Sequence, residues 1–212
     1  MMNNFLERYP FPMVAILRGI TVAEAPPVAR ILFEAGFRLL EVPLNRPGAL
    51  EAIAAIRELA PADALIGAGT VLRCEDIDAV RAVGGQLIVS PNCNAQVIAH
   101  AVACGMLSLP GVATPSEAFV ALDAGAHGLK LFPAEMIAPP AVSAMRSILP
   151  PGTPLLPVGG IDPSNMAAYI TAGADGFGIG GRLYTPGIDL ARLEIAARTF
   201  MISRKDILAA AK

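Results

Sequence analysis

The chain has 212 residues, 54% of them hydrophobic and 16% charged, with a formal net charge of -2. That length suits one domain with a large core, and a near-neutral balance without a Lys/Arg block argues against nucleic acid as a partner. The mean hydropathy is +0.57, yet no stretch approaches ~18 uninterrupted apolar residues, which argues against a membrane span.

Low charge with high apolar content suggests that some surface is buried between subunits. The segment Met1–Arg8 lacks the charged-then-apolar layout of a secretory leader, so a cytoplasmic location is expected. Cys74, Cys93 and Cys104 are odd in number and at no metal-like spacing. His100 and His127 are the only histidines, and neither belongs to a His-x-x-x-His or Glu-x-x-His pattern. A protein with no metal and no cofactor is expected.

Short apolar strand candidates alternate with alanine-rich amphipathic stretches. A short helical segment at the N-terminus precedes the first strand, Met13–Arg18, which is followed by a helix over about Val22–Ala35. The second strand spans Arg38–Leu44, with a helix at Gly48–Leu59; the third spans Ala64–Gly69, with a helix near Glu75–Val83. Gln86–Ser90 and a helix at Asn94–Ala103 come next, then Met106–Pro110 and a helix at Pro115–Ala124. Gly128–Phe132 is sixth, with a helix near Pro140–Leu149; Leu155–Val158 is seventh, with a helix at Pro163–Ala172. Asp175–Ile179 is eighth, and the remaining tail reads as a C-terminal helix. Gly36, Gly84, Gly105, Gly125 and Gly173 each stand just past an expected helix end, where the left-handed conformation closes a helix.

Eight strand–helix units, with no linker dividing them, fit an α/β fold of the TIM (β/α)8-barrel type in a single domain covering residues 1–212. An open doubly wound sheet is the rival, but its nucleotide fingerprint is missing after the first strand, where the chain reads Leu17-Arg18-Gly19-Ile20. In such barrels the working residues stand at the C-terminal strand ends.

Lys130 interrupts the apolar run Gly128-Leu129-Lys130-Leu131-Phe132-Pro133. Burial disfavours the charged amine and leaves more free base to attack a carbonyl, which suggests Schiff-base chemistry. The bland alternative is a lysine that snorkels from a strand end to solvent. Glu41 lies on the second strand and Lys130 on the sixth, both even, so the two can share a layer inside a barrel. They would serve as proton-exchanging catalytic groups or form a structural ion pair. Gly159-Gly160 and Gly180-Gly181 end the seventh and eighth strands, where glycine lets backbone amides approach an anion; a helix starting after the eighth strand would add its dipole. Arg18 could clamp a carboxylate or be an ordinary surface arginine. His127, at a strand start, reads as structural, His100 as surface, and Met136 and Met145 as packing. Cys93 stands just beyond the fourth strand, next to the expected pocket.

Six segments together resemble the bacterial 2-keto-3-deoxy-6-phosphogluconate and 6-phosphogalactonate aldolases. They are Ala15-Ile16-Leu17-Arg18-Gly19-Ile20, Glu41-Val42-Pro43-Leu44-Asn45, Ile66-Gly67-Ala68-Gly69-Thr70-Val71-Leu72, Gln86-Leu87-Ile88-Val89-Ser90-Pro91-Asn92, Lys130-Leu131-Phe132-Pro133-Ala134-Glu135 and Pro157-Val158-Gly159-Gly160-Ile161. The resemblance implies a class I aldolase on a homotrimeric barrel, acting on a phosphorylated 2-keto-3-deoxy sugar acid and yielding pyruvate. It puts Lys130 on the Schiff-base lysine and Glu41 on the general acid/base. Arg18, Thr70 and Pro91 match positions at the pyruvate end, and Gly159, Gly160, Gly180 and Gly181 match the phosphate-binding loops. Pro43, Asn45, Asn92 and Val158 are similar to the galactonate branch, whereas Phe132-Pro133-Ala134-Glu135 is closer to the gluconate branch. The rival functions are a sugar-phosphate isomerase or epimerase, with Glu41 as base and Lys130 as electrostatic stabiliser, and a non-enzymatic sugar-phosphate binding protein.

Overall fold

The computed structural model describes residues 5–210. Residues 1–4, half of the segment read above for a leader, and residues 211–212 lie outside the described residues. A short helix α1 (Phe5–Arg8) leads into alternating strands and helices: β1 (Met13–Ile16), α2 (Ala25–Ala35), β2 (Leu39–Pro43), α3 (Ala49–Leu59), β3 (Leu65–Gly69) and α4 (Cys74–Ala82). Then come β4 (Leu87–Val89), α5 (Ala95–Ala103), β5 (Leu107–Leu109), β6 (Gly111–Val112), α6 (Pro115–Asp123) and β7 (Leu129–Leu131). The chain ends with α7 (Pro139–Ile148), β8 (Leu155–Pro157), α8 (Met166–Thr171), β9 (Phe177–Ile179) and α9 (Leu190–Ala210). No described helix is long and apolar enough to cross a membrane.

All the pairings are parallel. A six-stranded sheet runs β5-β4-β3-β2-β1-β9 and a three-stranded sheet runs β6-β7-β8. Parallel strands covered by crossover helices are apolar on both faces, and every residue of β1, β2, β3 and β7 is buried. One large apolar core lies between sheet and helices; a smaller cluster, including Val14, Leu39, Leu87, Val89, Leu109 and Leu156, lies on the concave side.

The fifth expected strand, Met106–Pro110, is observed as β5, and an unexpected short strand, β6, follows it. β5 pairs with β4, β6 pairs with β7, and Pro110 stands between them. Proline has no amide hydrogen to give a ladder, but its carbonyl still accepts from Lys130 N at 2.9 Å. On the other side, Val158 bridges Gly178 in parallel fashion, and Asp175 N donates to Leu155 O at 2.9 Å. Arg146 on α7 clasps that seam: its guanidinium donates to Gly173 O, Thr153 O and Asp175, whose carboxylate also accepts from Leu155 N.

Most element boundaries move inward by one to three residues. The helix expected from Pro163 begins at Met166, because Asp162 and Asn165 use their side chains on turn amides, as Asx turns do. The five helix-ending glycines all have positive φ, between 72 and 109°. Met136, expected in packing, is 82% exposed, while Met145 is buried.

Candidate active site

β2 and β7 each carry one ionisable residue into the concave cluster. Glu41 is 2% exposed and Lys130 is 6% exposed. They line one small cavity with Val14, Ile16, Val89, Leu109, Leu156 and Val158, a wall of branched aliphatic side chains. The structure thus brings the two residues together, as strand parity suggested.

Two ions in an apolar cavity each lose hydration, and each partly restores the other by Coulomb attraction. Desolvation wins on both sides. It pushes the Glu41 carboxyl up to about 7, against the opposing pull of Lys130 and then of Arg18. It lowers the Lys130 amine from the ordinary lysine value; Glu41 works against this shift and Arg18 adds to it. Buried Glu41 Oε2 has no hydrogen-bond partner among the described residues. The Lys130 ammonium also sits 4.6 Å from the centre of the Phe132 ring, a cation–π contact that orients the side chain.

Gly69 sets where the Glu41 carboxylate lies. Register places Glu41 opposite Gly67 on β3, and a Cβ added at Gly69 would overlap the carboxylate itself. Just beyond Gly69, Thr70 has φ 56°. For a β-branched residue this is a strained conformation of the kind that collects at functional sites. Ser90 Oγ fixes the next residue by donating to Val71 O at 2.7 Å.

A second cavity, of about 240 Å³, adjoins the first, with Ile16 and Val158 lining both. Arg18, Glu135, Arg182 and all four expected glycines line it. Gly159 (φ 114°) and Gly160 (φ 60°) adopt backbone angles that side chains resist. A Cβ at Gly159 would overlap the Glu135 carboxylate, whereas nothing lies within 4 Å of one at Gly180 or Gly181. The amides of Gly160 and Gly181 donate to no acceptor among the described residues. Such free amides form an anion-binding concavity. The helix expected to open after the eighth strand is replaced by a turn in which Leu183 N and Tyr184 N donate to Gly180 O; α9 starts only at Leu190. Its dipole is therefore absent from the cavity edge.

Thr70 and Pro91 follow the adjacent strands β3 and β4, but neither lines the two cavities. Cys93 also lies outside them, with its thiol on Glu117 O at 3.3 Å. His127 serves structure, with Nδ1 accepting from Ser108 N at 3.2 Å. Sequence reading missed Gly69, Phe132 and Glu135 as contributors to the site. Strand alternation could have found Phe132, two residues from Lys130 on the same face.

Removing the lysine charge withdraws a pull that lowers the Glu41 titration. Lys130→Met should therefore raise the Glu41 midpoint above about 7, read by carbon-13 NMR of labelled glutamate. Gly69→Ala should cost about 1–3 kcal/mol in chemical denaturation through overpacking against the carboxylate. An unchanged midpoint or an unchanged stability would contradict the geometry.

The family model for KDPG and KHG aldolase matches residues 7–193. The 2-dehydro-3-deoxy-6-phosphogalactonate aldolase of Escherichia coli (strain K12) is 44% identical over 190 residues, covering 90% of this chain and 93% of its own length. A probable 2-dehydro-3-deoxy-6-phosphogalactonate aldolase of Rhizobium meliloti (strain 1021) is 45% identical over 177 residues, covering 84% of each chain. Among solved structures, a native KDPGal structure superposes with a TM-score of 0.92 at 42% identity, over 94% of this chain and 97% of that one. Sequence and fold agree in these matches: the chain belongs to the KDPG and KHG aldolase family.

Proposed function

We propose that this chain is a class I aldolase that cleaves 2-dehydro-3-deoxy-6-phosphogalactonate to pyruvate and D-glyceraldehyde 3-phosphate through a Schiff base on Lys130. The observation that carries this reading is the pair of adjoining cavities. A buried amine and a buried carboxylate share one, glycine amides and Arg182 edge the other, and Arg18 lines the second while its charge acts on Glu41 and Lys130 in the first. A substrate with a ketone at one end and a phosphate at the other matches that layout.

The neutral Lys130 amine attacks the C2 ketone, and the carbinolamine loses its hydroxyl as water with a proton from Glu41, giving a protonated imine and leaving Glu41 as the carboxylate. Glu41 takes the proton from the C4 hydroxyl, and the C3–C4 bond breaks. Its electron pair moves to the imine, leaving an enamine of pyruvate and releasing the aldehyde. Glu41 then returns a proton to C3, and water hydrolyses the imine. A carboxyl that titrates at about 7 is suited to both directions of transfer at neutral pH. The imine is itself the electron sink, so these steps call for no metal or cofactor. Arg18, Thr70 and Pro91 are assigned to the carboxylate end of the substrate. Gly159, Gly160, Gly180 and Gly181 are assigned to its phosphate, whose remote binding helps orient the reacting carbons.

The 6-phosphogluconate epimer is the second reading. Pro43, Asn45, Asn92 and Val158 favour galactonate, while Phe132-Pro133-Ala134-Glu135 favours gluconate. We also read the two sheets as one closed (β/α)8 barrel forming a single domain. The Val158–Gly178 bridge and the shared strand through Pro110 support closure. Exposed Phe119, Val120, Ile148, Ile195 and Ile202, together with the family resemblance, support a homotrimer; a cytoplasmic location is proposed with it.

Borohydride added with pyruvate should leave one reduced adduct on Lys130, located by peptide mass spectrometry. Lys130→Ala should lose both adduct and turnover, and retained turnover would refute the assignment. Turnover of the two epimers side by side decides the C4 preference. A crystal structure of the trapped protein tests closure and subunit number together.

A further inference from the structure

Outside the two cavities, one cluster of metal-ligating side chains stands on the outer helices. Asp78 on α4 and His100 on α5 pair through Oδ1 and Nε2 at 2.9 Å. Cys104, the residue that caps α5, places its Sγ 3.8 Å from the same Nε2. The three donor atoms all lie within 4.8 Å of one another. Backbone geometry fixes part of this arrangement: residues four apart share a helix face, and Cys104 N closes the last turn on His100 O at 2.9 Å.

The shared nitrogen distinguishes two kinds of chemistry. A Cys–His–Asp hydrolytic triad needs the acid on one ring nitrogen and the thiol on the other. Here acid and thiol both approach Nε2, so the three donors converge on a common point, as ligands around an ion do. In tetrahedral zinc sites the bond lengths to sulfur and nitrogen place those two atoms ~3.5 Å apart. The Cys104–His100 separation is already close to that value, and the Asp78–His100 contact needs to open by only a few tenths of an ångström. Thiolate, imidazole and carboxylate together suit a borderline-soft divalent ion such as Zn²⁺. The side chains of Asp78 and His100 are 60% and 34% exposed, which leaves access for the ion and for a water as fourth ligand. Arg81 Nη1 lies 4.0 Å from Cys104 Sγ. Arg81 is exposed and free to swing into solvent when an ion takes the sulfur.

We propose that Asp78, His100 and Cys104 form a binding site for one Zn²⁺-like divalent ion, which ties α4 to α5 and is separate from the aldolase chemistry. Ligation replaces the Cys104 thiol proton with the metal and involves no redox change. The expected occupant is the free ion or its freely exchanging aquo complex.

Co²⁺ titration of the purified full chain tests this. The expected result is a near-ultraviolet thiolate-to-cobalt band that saturates at one equivalent per chain. Cys104→Ser should abolish it, His100→Gln should weaken binding by at least about tenfold, and Cys93→Ser should leave it intact. In the unaltered protein, Zn²⁺ should slow alkylation of Cys104 relative to Cys74 and Cys93, read by mass spectrometry. This arm stands even where a variant folds poorly. The absence of a saturable band, a band that survives Cys104→Ser, or alkylation of Cys104 indifferent to Zn²⁺ would each overturn the site.

Discussion

The structure depends on one energetic conflict, the burial of an amine and a carboxyl in the same apolar cavity. Lys130 and Glu41 each lose water to walls of Val, Ile and Leu, and mutual attraction restores only part of that loss. Both groups are consequently pushed toward their neutral forms. A well-formed buried ion pair would hold them charged, and simple exposure would leave their ordinary values in place. Neither state suits the nucleophilic lysine and proton-exchanging carboxyl of the proposed reaction.

The scaffold maintains that conflict through small residues rather than polar partners. Gly69 removes the one Cβ that would displace the Glu41 carboxylate, and Phe132 offers its ring face to the Lys130 nitrogen. Thr70 carries backbone strain where β3 ends, with its neighbour Val71 held by Ser90. Local strain persists only where surrounding bonds over-determine it. The adjoining cavity follows a different principle. The amides of Gly160 and Gly181 have no acceptor among the described residues, and Arg182 supplies positive charge. Val158 and Ile16 line both, so the proposed ketone and phosphate ends meet at apolar side chains.

Family membership and geometry support each other without duplicating each other. The match over residues 7–193 concerns sequence pattern, whereas the shared cavity concerns placement in space. A buried lysine with a lowered pKa in a cleft is a functional-site signal on physical grounds alone. The cluster at Asp78, His100 and Cys104 lies apart from both cavities, at the helices α4 and α5.

The sequence by itself determined the alternation of strands and helices, the glycines that close the helices, and the candidacy of Lys130. Each is a local property: hydrophobic period, left-handed backbone at a helix end, a cation within an apolar run. It also carried the pairing of Glu41 with Lys130, through strand parity. Only the tertiary structure decided which influence wins at that pair, because desolvation depends on walls supplied by five other strands. Tertiary structure alone also set Gly69 under the carboxylate, Glu135 against Gly159, and Asp78 beside His100, since these contacts join residues distant in the chain. The break between β5 and β6 at Pro110 had a local cause, the missing amide hydrogen. It became visible only when neighbouring strands on each side competed for the same backbone.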